Sequence, residues 1–296
     1  MRKILCFILA CVLLCALMPV NVNADIGPKP SVTVRFSGIN GQQCYGTLLS
    51  SDQCVLMSKA WDGNEENARH AGVEGSYSTT PEEIWRAFVD YKDPDGFYYL
   101  QETWNCGKTN AIEWVNVPPS VFKVLLYFPE SGVFVSSGIY ETYAFDSYYS
   151  VRLETSGGSE NAVMIVEEDY DYFGEAVSFV IRAMLTLLVE IGVAFSFGLL
   201  STKKAAYVII TTNIVTQILL NAAAQVVGYR GGEFSLIFFY FIGELLVLLF
   251  EAILYSLVLC RDGRYKRSEI IAYATVSNAI SFIIGVLLSL VVPLFF

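Results

Sequence analysis

The chain has 296 residues, of which 54% are hydrophobic and 16% charged, and its formal net charge is −10. So low a charged fraction, against about 25% in ordinary soluble domains, points to a membrane protein. Between Asp25 and Ala176 acidic residues outnumber basic ones 23 to 9, which repels polyanions and argues against nucleic acid as a partner.

Met1 to Ala24 opens with Arg2 and Lys3, continues through an apolar run and closes on Val22-Asn23-Ala24. Basic start, apolar middle and small-residue end are the pattern of a secretory signal peptide, which would place the following domain outside the cell. Of the seven cysteines, Cys44, Cys54 and Cys106 fall in that domain. Three cysteines make at most one disulfide, and Cys44 with Cys54, which flank a short two-stranded unit, are the expected pair, with free buried thiols the alternative. There is no Cys-x-x-Cys or Cys/His spacing, so no metal or cofactor is expected.

Residues 25–155 read as a β-rich domain. Val32–Phe36, Cys44–Leu49 and Val55–Met57 are short β-branched or aromatic runs between turn residues. Thr80-Pro81-Glu82-Glu83 resembles a capping-box start for a helix from Pro81 to Asp90, with Ile84, Trp85, Phe88 and Tyr91 on one face. Strands are expected at Phe97–Trp104, Ala111–Val117, Val121–Phe128, Val133–Ser136 and Tyr140–Leu153. This order predicts a sandwich-like domain with one inserted helix. Asp93-Pro94-Asp95-Gly96 reads as a turn in preference to a calcium loop, and His70 as a solvated loop residue. Ser156-Gly-Gly-Ser159 opens an acidic juxtamembrane linker, 156–176.

The remainder, 177–296, is expected to be a bundle of four transmembrane helices, at Val177–Leu200, Ala205–Gly228, Phe234–Cys260 and Ile270–Leu294. Each run reaches the roughly 20 residues that about 30 Å of hydrocarbon requires. Lys203 and Lys204, and Arg261 to Arg267, make loops 201–204 and 261–268 basic. The positive-inside rule puts those loops in the cytoplasm and residues 25–176 and the C-terminus outside a plasma membrane crossed several times.

Within these runs stand Arg182, Glu190, Asn213, Gln217, Asn221, Glu244, Glu251 and Asn278. A charged group at the bilayer centre costs about 2.5 to 3.5 kcal/mol on insertion scales, so these residues should turn inward as a polar cluster. Glu244 is expected to face the amides of Asn213 and Asn278. Neither an aspartate in a span, a Ser/His dyad nor a phosphate-binding glycine loop is present, so no catalytic constellation is expected.

The start Asp25-Ile-Gly-Pro-Lys-Pro30, the Tyr143-Ala-Phe-Asp-Ser-Tyr-Tyr149 stretch and the Asn213-x-x-x-Gln217-x-x-x-Asn221 helix after Lys203-Lys204 resemble a group of four-span membrane proteins of Gram-positive bacteria. The resemblance implies a bacterial plasma-membrane setting and an extracytoplasmic β-rich domain, and no activity. The expectation is therefore a non-enzymatic envelope sensor or interaction module, whose partners are the lipid bilayer and a membrane or envelope protein. A small transporter or channel-like component using the glutamate and asparagine cluster is the alternative.

Overall fold

The computed structural model of the protein describes residues 28–39, 41–71, 78–155, 162–261 and 263–291. The expected signal peptide and the Ser156–Ser159 joint lie outside the described residues.

The first part of the chain contains β1 (Ser31–Ser37), β2 (Tyr45–Ser50), β3 (Cys54–Val55), β4 (Ser58–Lys59), β5 (Tyr98–Tyr99), β6 (Ala111–Val115), β7 (Val121–Phe128), β8 (Val133–Ser136), β9 (Tyr140–Glu141), β10 (Asp146–Thr155) and β11 (Ala162–Glu168). One sheet runs β11-β10-β1-β6 and a second β5-β2-β7-β8, with β9 also on β7. Alternation in β1 turns Val32, Val34 and Phe36 inward, where they join Leu48, Ile112, Phe122, Val124 and Tyr149 from both sheets in one core. Burying each such side chain contributes about 1.5 to 3 kcal/mol.

Every residue of β2 is buried, because the second sheet is covered on its other face too. There α1 (Glu82–Asp90) lays Ile84, Trp85 and Phe88 on Tyr45, Leu49, Tyr99 and Leu125. The helix is not started by Thr80, however. Pro81 is the N-cap and no side chain caps it; the Pro81 carbonyl accepts from the Ile84 and Trp85 amides, while the Thr80 carbonyl accepts from Ala71.

Other local expectations change for physical reasons. The long strand over Phe97–Trp104 shrinks to β5 because Gln101 is left-handed at φ 63°. Its buried amide ties three loops together, donating to the Lys59 and Asn67 carbonyls and accepting from the Arg69 amide and the Trp85 indole. The strand over Tyr140–Leu153 divides into β9 and β10 around a turn at Thr142–Phe145. A short helix, α2 (Cys106–Thr109), falls between β5 and β6. His70 is buried, its ring 4.9 Å from that of Trp85. Asp93–Gly96 is the expected turn, closed by the Gly96 amide on the Asp93 carbonyl at 3.1 Å, and its two carboxylates hold Lys123 Nζ at 2.7 Å and 2.9 Å. Cys44 and Cys54 are free and unpaired, since Cys44 is in the core and Cys54 is exposed on the β3–β4 hairpin.

Four transmembrane helices are not what the structure contains. Three long helices follow the β-rich region, α3 (Tyr172–Ser196), α4 (Lys203–Leu259) and α5 (Arg267–Val291). Among the described residues only α3 and α4 are long and apolar enough to cross a membrane. The second and third expected spans are one 57-residue helical element, α4, interrupted only at Gly232, where φ 72° and ψ −178° are non-helical. At that break the chain turns back, so Leu220 meets Gly243 and Thr216 meets Glu251. The fourth expected span coincides with α5 and runs past the described residues.

Candidate functional site in the helical interior

In α3 and α4 the usual burial is inverted. Leu188 is 63% and Phe195 75% exposed, whereas Glu190, Asn213 and Glu251 are 0% exposed. A large apolar exterior around a polar interior suits hydrocarbon surroundings, because lipid solvates leucine and phenylalanine and leaves polar groups to find one another.

Glu251 is the best-satisfied member of the cluster. Its Oε1 accepts from Thr216 Oγ1 at 2.9 Å and its Oε2 from Asn278 Nδ2 at 2.8 Å. Those bonds join both arms of α4 to α5. Asn278 thus faces Glu251 and not Glu244, which corrects the expected pairing. Glu244 lies beside Tyr240, one turn back on the same helix, and Tyr240 is also within electrostatic reach of Arg182 on α3. Asn221 Nδ2 donates to Gln217 Oε1 at 3.1 Å and to the Gln217 carbonyl at 2.9 Å, so these two amides serve each other on one helix face.

Glu190 is placed differently. It projects from α3 into the interior with neither carboxylate oxygen hydrogen-bonded, while the Tyr273 hydroxyl lies against the Asn213 amide and Ser277, and the Tyr255 hydroxyl against Thr212, without full hydrogen-bond geometry. The two tyrosine rings lie 5.8 Å apart. Thr216 was foreseeable, since it lies one turn from Thr212 beside the Asn213–Gln217 stripe. Tyr273 was not: a tyrosine near the end of an apolar run reads as a ring for the bilayer interface.

A second feature joins the β-rich region to the helices. The Phe145 amide donates to the Tyr229 carbonyl at 2.9 Å, and its carbonyl accepts from the Ser31 amide at 3.0 Å. One residue of the β9–β10 turn therefore touches both the start of β1 and the turn-back of α4. Its ring fills the space beside Gly232, where an added Cβ would lie 2.5 Å from Phe145 Cε1. Tyr143 stacks on Tyr229 at 6.3 Å, and Tyr170 meets Tyr229 edge-on at 5.2 Å. Partial burial pushes the hydroxyls of Tyr143 and Tyr170 up to about 12.

In the β-rich region an open cavity of about 1100 Å³ lies between the β3–β4 hairpin, the 101–104 segment and β6. Arg69 and Glu102, paired at 2.9 Å, stand in its wall beside Trp104. Among the described residues no group of three or more His, Cys, Asp or Glu could hold a metal ion. Comparison of the chain with protein-family models, curated proteins and solved structures returns no match.

Proposed function

We propose that this protein is a non-enzymatic envelope sensor or interaction module, whose β-rich region meets a ligand or partner outside the plasma membrane and passes its state to the helices. The observation that carries the reading is the double attachment of Phe145, to Ser31 on one side and to Tyr229 and Gly232 on the other. A rearrangement of β1 or β10 moves that turn, and the turn is seated where α4 is broken. Breaks of this kind absorb large backbone changes at small cost and are common hinges.

The same reading gives an orientation. Tyr229 to Glu233 and the β-rich region share one side of the bilayer, outside, and the basic segments 201–204 and 261–268 lie in the cytoplasm, following the charge bias of the loops. The polar, 1100 Å³ cavity with its Arg69–Glu102 pair is the candidate binding surface for an envelope partner.

Photo-crosslinking of the full chain in native membranes, quantified by mass spectrometry, tests the reading. Arg69→Ala and Glu102→Gln should abolish capture of a partner that Glu244→Gln still captures. Capture that ignores the cavity variants but disappears with Glu244→Gln refutes it and favours the transporter-like alternative.

A further inference from the structure

The buried carboxylates of the helical interior are not equivalent, and the difference identifies a binding site. Glu251 has a donor on each oxygen, Thr216 and Asn278, so its negative charge is held by hydrogen bonds. Glu190 is equally buried and has none. The charges acting on it, Glu251 and Glu244, are both negative. An ionised carboxylate in that position costs far more than hydrocarbon-facing helices can supply, unless a cation accompanies it.

The surroundings are those of a cation site. Asn278 uses its Nδ2 on Glu251 and on the Ala274 carbonyl, which leaves Oδ1 without a donor. The fully buried Asn213 amide lies against the Tyr273 hydroxyl, and the Tyr255 hydroxyl against Thr212, in contacts looser than full hydrogen bonds. Tyr255 and Tyr273 both lie within electrostatic reach of Glu190 and Glu251. These donors are oxygens from both arms of α4 and from α5, facing an oxygen-bearing side chain on α3. No thiol or imidazole is among them, so the set suits a hard cation. Glu251 is held by Thr216 and Asn278 and Glu244 lies beside Tyr240, so Glu190 is the carboxylate whose two oxygens are both open to an ion.

We propose that the helical interior binds a single hard monovalent cation, sodium, between the Glu190 carboxylate and the amide and hydroxyl oxygens of Asn213, Asn278, Tyr255 and Tyr273. The ion draws α3, both arms of α4 and α5 together. It does so whatever the β-rich region binds, and its test is independent of any partner.

The test uses the full chain in nanodiscs. Thermal unfolding is compared in sodium chloride, potassium chloride and choline chloride at equal ionic strength, and ²²Na⁺ binding is measured at equilibrium. A cation that binds only the folded state raises the unfolding temperature as its concentration passes Kd. Sodium should raise it saturably above choline, with one ion bound per chain, and Glu190→Gln should abolish both effects. Tyr273→Phe should weaken sodium binding by about tenfold, the lower end for a group that supports an ion site, and it keeps the test available if Glu190→Gln does not fold. A sodium effect that survives Glu190→Gln, or an unchanged affinity in Tyr273→Phe, overturns the site. So does stability that follows pH alone with no preference for sodium. In that case the occupant is a proton shared among Glu190, Glu244 and Glu251, with Arg182, Tyr240, Tyr255 and Tyr273 as the other ionisable groups facing them.

Discussion

Replacing Gly232 by alanine should destabilise the β-rich region, although Gly232 is part of the helical element. Two costs combine. The backbone at φ 72° and ψ −178° lies in a region that is essentially reserved for glycine, and holding a side chain there costs about 1 to 3 kcal/mol. The new methyl would also stand 2.5 Å, 2.6 Å and 2.9 Å from three ring carbons of Phe145, and overpacking of this sort costs typically about 1 to 3 kcal/mol. The ring can rotate away, but its backbone is tied to Tyr229 and Ser31, so the combined effect should fall at about 2 to 5 kcal/mol. The four tryptophans, Trp61, Trp85, Trp104 and Trp114, all lie in the β-rich region, which allows the two parts to be followed separately. Denaturation of the full chain monitored by tryptophan fluorescence should move to lower denaturant in Gly232→Ala. The double variant Gly232→Ala/Phe145→Leu should recover the steric share and leave the backbone share, an interaction that a double-mutant cycle isolates. A tryptophan transition unchanged in Gly232→Ala, with only the helical circular dichroism affected, would show that the seam transmits nothing.

Lys123→Met should cost about 3 to 5 kcal/mol, because it strands the fully buried side chain of Asp93 without its counter-charge, and Lys123→Met/Asp93→Asn should restore much of that in the same unfolding assay. Burial alone would lower the Lys123 ammonium, but its hydrogen bonds and charge contacts with Asp93 and Asp95 outweigh it and hold the group above its ordinary 10.5. Its contribution is therefore complete below that value and lost as pH rises through the folded one; a Lys123 contribution that fades on acidification from pH 9 to 7 contradicts this sign. Maleimide at neutral pH should label Cys54 in the folded protein and reach Cys44 and Cys106 only in denaturant, since burial pushes the Cys44 thiol up to about 12 and raises Cys106 also. With an impermeant reagent on intact cells Cys54 should react and Cys260 should not, and labelling of Cys260 would reverse the proposed orientation.

Periodicity made the inward stripes readable. Arg182, Glu190, Asn213, Gln217, Asn221, Glu244, Glu251 and Asn278 are all polar residues in apolar runs; Asn278 bonds Glu251, Glu190 lies within electrostatic reach of Glu251, and Asn213 joins them through Tyr273. Depth along a helix was a poorer guide to partners. Glu244 and Asn278 lie at similar counted depths, yet Glu251 takes the amide, because side-chain direction around the helix axis decides which groups meet. Hydropathy counted apolar runs but could not see that Gly231-Gly232 would join two of them into α4, with the turn completed by Phe145 from a distant turn. The same limit hid Gln101, a single left-handed residue that ended β5 early, and Lys123, whose carboxylate partners lie 30 and 28 positions away. Short apolar runs with clear alternation, such as Val32–Phe36, were legible because one face alone had to be dry.

The parallel pairing of β1 with β10 has a consequence for biogenesis. Ser31 Oγ donates to Asp146 Oδ1 across 115 positions, and β1 also pairs with β6 on its other edge. The first strand of the region to be synthesised thus lies inside its sheet and must wait for nearly the whole region before its second neighbour arrives. Non-local pairings of this kind close slowly. During that interval Val32, Val34 and Phe36 sit on an unpaired strand edge that invites association with other nascent chains. A stop codon or a protease cut anywhere before Asp146 should therefore yield an aggregating fragment and not a smaller folded one. The β-rich region matures as a unit, at about the moment α3 is synthesised behind it.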